Sequence, residues 1–175
     1  GADRGVYLTD VLHDAGAVVW RALKVNGSGA TTTLTPFFSS PDLGSEIVSL
    51  RVAEPAGGLP RRLQVGLRDG RQLSYDQASK RLLSSIDGPC TSHGGLIDAT
   101  EADLNADGQP EQLSVCQDSL LVVHHDAQVD WSIAGVAGDG IVVGQMDDDP
   151  ALEIATTAGR VVDSGSHKVQ WTVPT

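Results

Sequence analysis

Gly95-Leu96-Ile97-Asp98-Ala99-Thr100-Glu101-Ala102, an acidic stretch Asp103-Leu104-Asn105-Ala106-Asp107-Gly108-Gln109-Pro110, then Glu111-Gln112-Leu113-Ser114-Val115-Cys116 leads on to Gln128-Val129-Asp130-Trp131-Ser132-Ile133. The same layout returns as Gly140-Ile141-Val142-Val143-Gly144, Gln145 to Pro150, Leu152-Glu153-Ile154-Ala155-Thr156 and finally Lys168-Val169-Gln170-Trp171-Thr172-Val173. Glu111 and Glu153 are 42 residues apart and Trp131 and Trp171 are 40 apart, so the two units share one internal plan. Self-similarity at such a period marks blade or solenoid architectures.

Working outward, an eroded copy runs from Glu46-Ile47-Val48-Ser49-Leu50-Arg51-Val52 through a loop at Glu54 to Gly58, then Arg62 to Leu67 and Lys80 to Ile86, with Leu82 where the other units carry Trp. Within each unit apolar and polar residues alternate over four to seven positions. The breaks are turn-formers: Arg68-Asp69-Gly70, Gln117-Asp118-Ser119, Thr157-Ala158-Gly159, His125-Asp126-Ala127 and Ser164-Gly165-Ser166. No segment holds a 3.6-residue apolar period, so helix is expected to be nearly absent. Four-stranded units of this size bury their faces by stacking on one another. The expected fold is all-β, a β-propeller-like array of about three and a half four-stranded blades; a β-sandwich of the same strands is the alternative.

The expected organisation is 1–23 as the C-terminal half of a first blade, 24–43 as a loop, 44–87 as a degenerate blade, 88–133 as a blade with an acidic loop, and 134–175 as a blade with a degenerate copy of it. The first assignment rests on His13-Asp14-Ala15 before Trp20, which echoes His125-Asp126-Ala127 before Trp131. With half a blade missing, the ring is not expected to close. Exposed strand edges then imply either a longer protein or assembly with other copies.

Composition narrows the partners. The net charge of −11, from 23 acidic and 12 basic residues, repels phosphate backbones, so nucleic acid is not expected. No apolar run approaches the ~20 residues of a membrane-spanning helix. Cys90 and Cys116 lack the spacing of a zinc site; they either form a disulfide, implying an oxidising compartment, or are two buried thiols.

Asp103, Asn105 and Asp107 place oxygen donors at alternate positions, Gly108 permits a sharp turn, Gln109 offers its backbone carbonyl, and Glu111 returns from the next strand. Calcium, a hard cation drawing six to eight oxygens, suits that set. Position twelve from Asp103 is Ser114 and the flanks read as strands, which excludes a helix-flanked EF-hand. The alternative is an acidic turn whose Asp and Asn only cap backbone groups. The copy Gln145, Asp147, Asp149, Glu153 is expected to be the weaker metal site, since Gln145 replaces an aspartate and Pro150 a glycine. The loop from Glu54 to Arg61 has lost the donors.

The Asp-x-Asn-x-Asp-Gly-x-x-Glu loop between strands resembles the FG-GAP or VCBS repeat of integrin α-subunit propellers and of many secreted bacterial propellers, closely over 95–173 and weakly over 44–86. That resemblance implies structural calcium at Asp103, Asn105, Asp107, Gln109 and Glu111. It also implies a secreted, periplasmic or cell-surface location and a non-enzymatic interaction, adhesion or assembly role toward a protein or glycan partner. The alternative is part of a propeller enzyme or carbohydrate-binding protein whose site lies partly outside this chain.

Other candidates are weaker. His124-His125-Asp126 reads as a strand end and turn, because adjacent strand residues face opposite ways. Trp20, Trp131 and Trp171 read as packing residues at matching strand positions, with sugar stacking as the alternative. No nucleophile elbow, phosphate loop, dinucleotide fingerprint or zinc-protease helix is present.

Overall fold

The computed structural model describes residues 5–12, 17–27, 31–56, 58–125 and 127–173. Among these the chain forms strands throughout, arranged as four small antiparallel sheets in which consecutive strands pair in order. The first sheet holds β1 (Gly5–Leu12), β2 (Ala17–Asn26) and β3 (Thr33–Ser39); the second holds β4 (Ile47–Ala53), β5 (Arg62–Leu67), β6 (Arg71–Asp76) and β7 (Leu82–Asp87). The third is β8 (Leu96–Ala102), β9 (Glu111–Cys116), β10 (Leu120–His125) and β11 (Gln128–Ala134); the fourth is β12 (Ile141–Gly144), β13 (Glu153–Thr156), β14 (Arg160–Asp163) and β15 (Lys168–Thr172). A 3-10 turn, Pro89–Ser92, lies in the connection between the second and third sheets.

The first strands of the last three sheets lie side by side, β4 against β8 and β8 against β12. Burial follows from that stacking. The middle strands β5, β9 and β10 are buried on both faces, while the fourth strands β7, β11 and β15 are largely exposed. Strands covered on both sides need apolar residues at successive positions, which accounts for Leu121-Val122-Val123 in β10.

The junctions differ in chemistry. Between the third and fourth sheets the core is aliphatic, built from Leu113, Val115, Leu121, Val123, Ile154 and Val162. Trp20, Leu63, Leu73 and Tyr75 fill the junction of the first and second sheets, with the Trp20 and Tyr75 rings edge to face at 5.0 Å. Between the second and third sheets the apolar cluster is smaller, Cys90, Leu96, Cys116 and Val122 with Val48, Ala99 and Leu120 against it, and Gly66 lacks a side chain where a Cβ would meet Leu96 at 2.6 Å. Ion pairs also span that junction: Arg51 pairs with Asp98 at 2.8 Å and Arg62 with Glu101 at 2.7 Å. Cys90 and Cys116 form a disulfide that ties the connecting turn to β9.

The first sheet departs from the expected half blade. β2 continues to Asn26, and β3 forms inside the stretch 24–43 read as a loop, so the sheet has three strands. Pro36 sits in β3 without disrupting it because β3 is an edge strand, where a missing N–H breaks no inner ladder. His13, Asp14 and Ala15 lie outside the described residues, as does Asp126. Strand pairing also corrects the alignment of Trp20 with Trp131. Each outer hairpin carries a bulge, at Ala22/Leu23, Ser74/Tyr75, Val123/His124 and Val161/Val162, and the partners just ahead of it are Phe38, Ser84, Trp131 and Trp171. Phe38 is thus the counterpart of the later tryptophans, and Trp20 is a fully buried residue of the preceding strand.

Candidate metal centre

The loop between β8 and β9 hangs from the pair Ala102↔Glu111, and that between β12 and β13 from Gly144↔Glu153. In the first loop Asn105 Oδ1 accepts the Asp107 N–H at 2.9 Å, Asp107 Oδ1 accepts the Gln109 N–H at 2.7 Å, and Glu111 Oε2 accepts the Leu104 N–H at 2.6 Å. The second loop repeats these bonds position for position. Asp147 accepts from Asp149 at 2.9 Å, Asp149 from Ala151 at 2.8 Å, and Glu153 Oε2 from the Met146 N–H at 2.5 Å. Such Asx turns need only an Asp or Asn followed two residues on by a free N–H. Pro150 leaves that pattern intact because it falls between its members.

Two differences separate the loops. Asp103 caps the first, accepting the Asp107 N–H at 3.1 Å and the Gly108 N–H at 2.9 Å, with Ala106 and Gly108 at φ of 58° and 85°. Gln145 instead donates its amide to the Asp149 carbonyl, leaving its own oxygen unengaged by that bond. Asp147, Asp149 and Glu153 then converge, one carboxylate oxygen of each lying within 4.8 Å of the others, and they are the one group of three or more His, Cys, Asp or Glu side chains gathered this closely among the described residues. In the first loop both oxygens of Asp103 are engaged by backbone N–H groups, and no such cluster of three forms there.

Both loops share a buried glutamate. Glu111 is 4% exposed and Glu153 fully buried, and in each the Oε1 atom is buried without a hydrogen-bond partner. Leaving a carboxylate oxygen so placed is costly. Glu111 Oε1 lies 3.5 Å from His125 Nε2, whose imidazole is held above its ordinary range chiefly by its 2.8 Å bond to Asp130, with the fields of Glu111 and Asp107 adding to it. The second sheet answers differently. Arg62 pairs with Ala53, the register position of Glu111 and Glu153, so a guanidinium stands where they carry a carboxylate and the Glu54 to Arg61 loop is unsuited to a cation. Sequence spacing missed this because only strand register aligns Arg62 with the glutamates.

His124 and His125 point apart, as adjacent strand residues must. His124 is fully buried, with Nε2 2.9 Å from Ser114 Oγ, and Ser114 is equally inaccessible, so this pair is a core hydrogen bond. Trp131 stacks on His167 of the fourth sheet at 4.5 Å, whereas Trp171 is 43% exposed. Beside the first loop, in the junction of the second and third sheets, lies a cavity of about 350 Å³ walled by Arg62, Ser74, Leu83, Ser84, Glu101 and Gln112 among others.

No protein-family model matches the chain, and no curated protein matches it. Among solved structures it is similar to BBS1N, determined in complex with ARL6DN and soaked with lead. The TM-score is 0.58 at 12% identity, over 100% of this chain and 70% of that one. At this identity the likeness is one of fold alone, and that neighbour is a propeller domain. The chain thus has a propeller-like all-β fold.

Proposed function

We propose that this chain is an array of FG-GAP or VCBS-type propeller blades acting outside the cytoplasm as a non-enzymatic interaction, adhesion or assembly module with structural calcium. The observation that carries the reading is the buried glutamate of each loop, with one oxygen fixed by a backbone N–H and the other without a hydrogen bond, that of Glu111 facing only His125 at 3.5 Å. The donor set is all oxygen and mostly anionic, which fits a hard divalent cation. Asp147, Asp149 and Glu153, with the Gln145 side-chain oxygen, would hold one ion, and Asp103, Asn105, Asp107, the Gln109 carbonyl and Glu111 a second. Calcium supplies the positive charge that offsets these carboxylates. The protein's part is to hold Glu111 and Glu153 rigidly at strand starts and to shape the loops by Asx turns.

Thermal unfolding with calcium and with chelator tests this. For dissociation constants of ~0.1 to 1 mM, typical of extracellular modules, saturating calcium near 10 mM adds about 1.4 to 2.7 kcal/mol for each occupied site, or a rise of roughly 3 to 10 °C per site. Glu153→Gln and Glu111→Gln are each expected to reduce that rise, and Glu153→Gln to do so without lowering the melting temperature in chelator, because there the amide removes a buried charge with no ion-pair partner. An unchanged melting temperature in calcium together with no bound ion by calorimetry overturns the reading.

The disulfide supports a location outside the reducing cytosol. The outer face of the fourth sheet supports assembly: Val142 is 61%, Trp171 43% and Val173 59% exposed, and Trp171 holds the strand position whose counterpart Trp131 is covered by the next sheet. A further sheet, from a longer protein or another copy, would cover it. Light scattering is expected to show self-association of the 175-residue chain that Trp171→Glu weakens; a monomer at all concentrations argues against self-pairing.

A further inference from the structure

At two junctions an aromatic residue ahead of the outer-strand bulge closes the gap to the next sheet. Phe38 lies 4.8 Å from the Trp20 ring and packs on the core holding Leu63, Leu73 and Tyr75 of the second sheet. Trp131 reaches His167 of the fourth. In the second sheet the same position is Ser84, and its partner across the strand is Ser74 where the third sheet has Val123. Ser74 and Ser84 both line the 350 Å³ cavity facing the third sheet. The volume lies within the ~300 to 1,000 Å³ of small-molecule pockets.

We propose that this cavity binds one neutral, ring-shaped polyol, a pyranose unit of a glycan, which takes the place that an aromatic ring takes at the neighbouring junctions. Five wall residues, Gln64, Ser74, Ser84, Gln109 and Gln112, carry neutral hydroxyl or amide groups that both donate and accept hydrogen bonds. Vicinal hydroxyls, each donor and acceptor at once, match such a wall, whereas a carboxylate only accepts and an ammonium only donates. The wall's charges are already paired, Arg62 with Glu101 at 2.7 Å and His125 with Asp130 at 2.8 Å, so no net charge selects an ion. The chain's −11 charge further disfavours an anion. Leu59, Leu83 and Pro110 offer apolar surface to the C–H face of a sugar ring.

The proposal goes beyond the calcium reading and is tested apart from it. The 175-residue chain, in chelator and again in calcium, is titrated with a panel of methyl hexopyranosides at millimolar concentrations while amide NMR shifts are followed. At least one pyranoside is expected to give saturable shifts at Ser74, Ser84 and Gln112 in chelator as well as in calcium. Gln112→Leu should weaken binding about tenfold, the worth of one hydrogen bond near the upper end of the usual range. Ser84→Trp, which restores the aromatic, should abolish binding and raise the melting temperature. Absence of shifts with every pyranoside, or shifts that persist in Ser84→Trp, overturns the proposal, as do saturable shifts with N-acetyltryptophanamide alone. Should Ser84→Trp not fold, unchanged affinity in Gln112→Leu overturns it.

Discussion

Ser119 occupies, in the β9–β10 hairpin, the turn position that Gly70 and Gly159 hold in the equivalent hairpins, and it does so at φ of 63°. A left-handed conformation costs a residue with a Cβ about 1 to 2 kcal/mol, and glycine's extra freedom in the unfolded chain returns roughly 0.5 to 1 kcal/mol of that gain. Ser119→Gly is therefore expected to stabilise by about 0.5 to 1 kcal/mol, read as a higher urea midpoint at unchanged slope. At this scale the acidic loop was the most legible feature, because alternate Asp and Asn beside glycine is a local pattern. Arg62 and Ser84 were not legible. Their meaning lies in which residue stands opposite, and a bulge or a turn of different length shifts that correspondence without leaving a mark in the linear sequence.

At the scale of elements, the β6–β7 and β14–β15 turns share one construction. Asp76 Oδ1 accepts the Ser79 N–H at 2.5 Å and Asp163 Oδ1 the Ser166 N–H at 2.6 Å, and each turn closes on a residue of positive φ, Lys80 or His167. Hydrogen bonds from Ser79 and from Ser166, hydroxyl first and then backbone N–H, hold these two carboxyls below their ordinary range. A carboxyl depressed on folding adds stability that is present above its unfolded value, about 3.9, and is lost as pH falls through the folded value. Melting temperature should accordingly drop as pH is lowered below about 4, and less steeply in Asp76→Asn and Asp163→Asn; parallel pH profiles would contradict this. The strands of the third and fourth sheets could be read from alternation and turn residues. β3 could not, since Gly27, the threonine run and Pro36 carry loop signals that an edge strand tolerates. The resemblance of His13 to Trp20 with His125 to Trp131 pointed to an outermost strand where the chain has the middle strand β2, because a short local match says nothing about pairing order.

Across the whole molecule, the two aliphatic or aromatic junctions contrast with the more polar one between the second and third sheets. There the half-exposed Arg51–Asp98 and the buried Arg62–Glu101 pairs replace some of the packing, and exposed and buried ion pairs alike contribute little net stability against a well-packed apolar junction. The disulfide compensates at that junction. With Cys90 and Cys116 separated by 26 positions in sequence, the chain-entropy model gives about 3.5 kcal/mol. Reduction, or the Cys90→Ala/Cys116→Ala pair, is expected to lower the denaturant midpoint by that order, measured by equilibrium unfolding; a midpoint indifferent to reductant would contradict it. The repeat period announced a stack of sheets, yet it could not show that the junctions differ, because junction chemistry depends on which faces meet.

The same bond has a mechanical meaning for a chain pulled by its ends. All of β8, the acidic loop and most of β9 lie inside the covalent loop it closes, so tension bypasses them. About 90 Å of contour length, 26 residues at roughly 3.5 Å each, stays out of reach of force until the sulfurs are reduced. Under load, the first acidic loop would be part of the segment that is shielded.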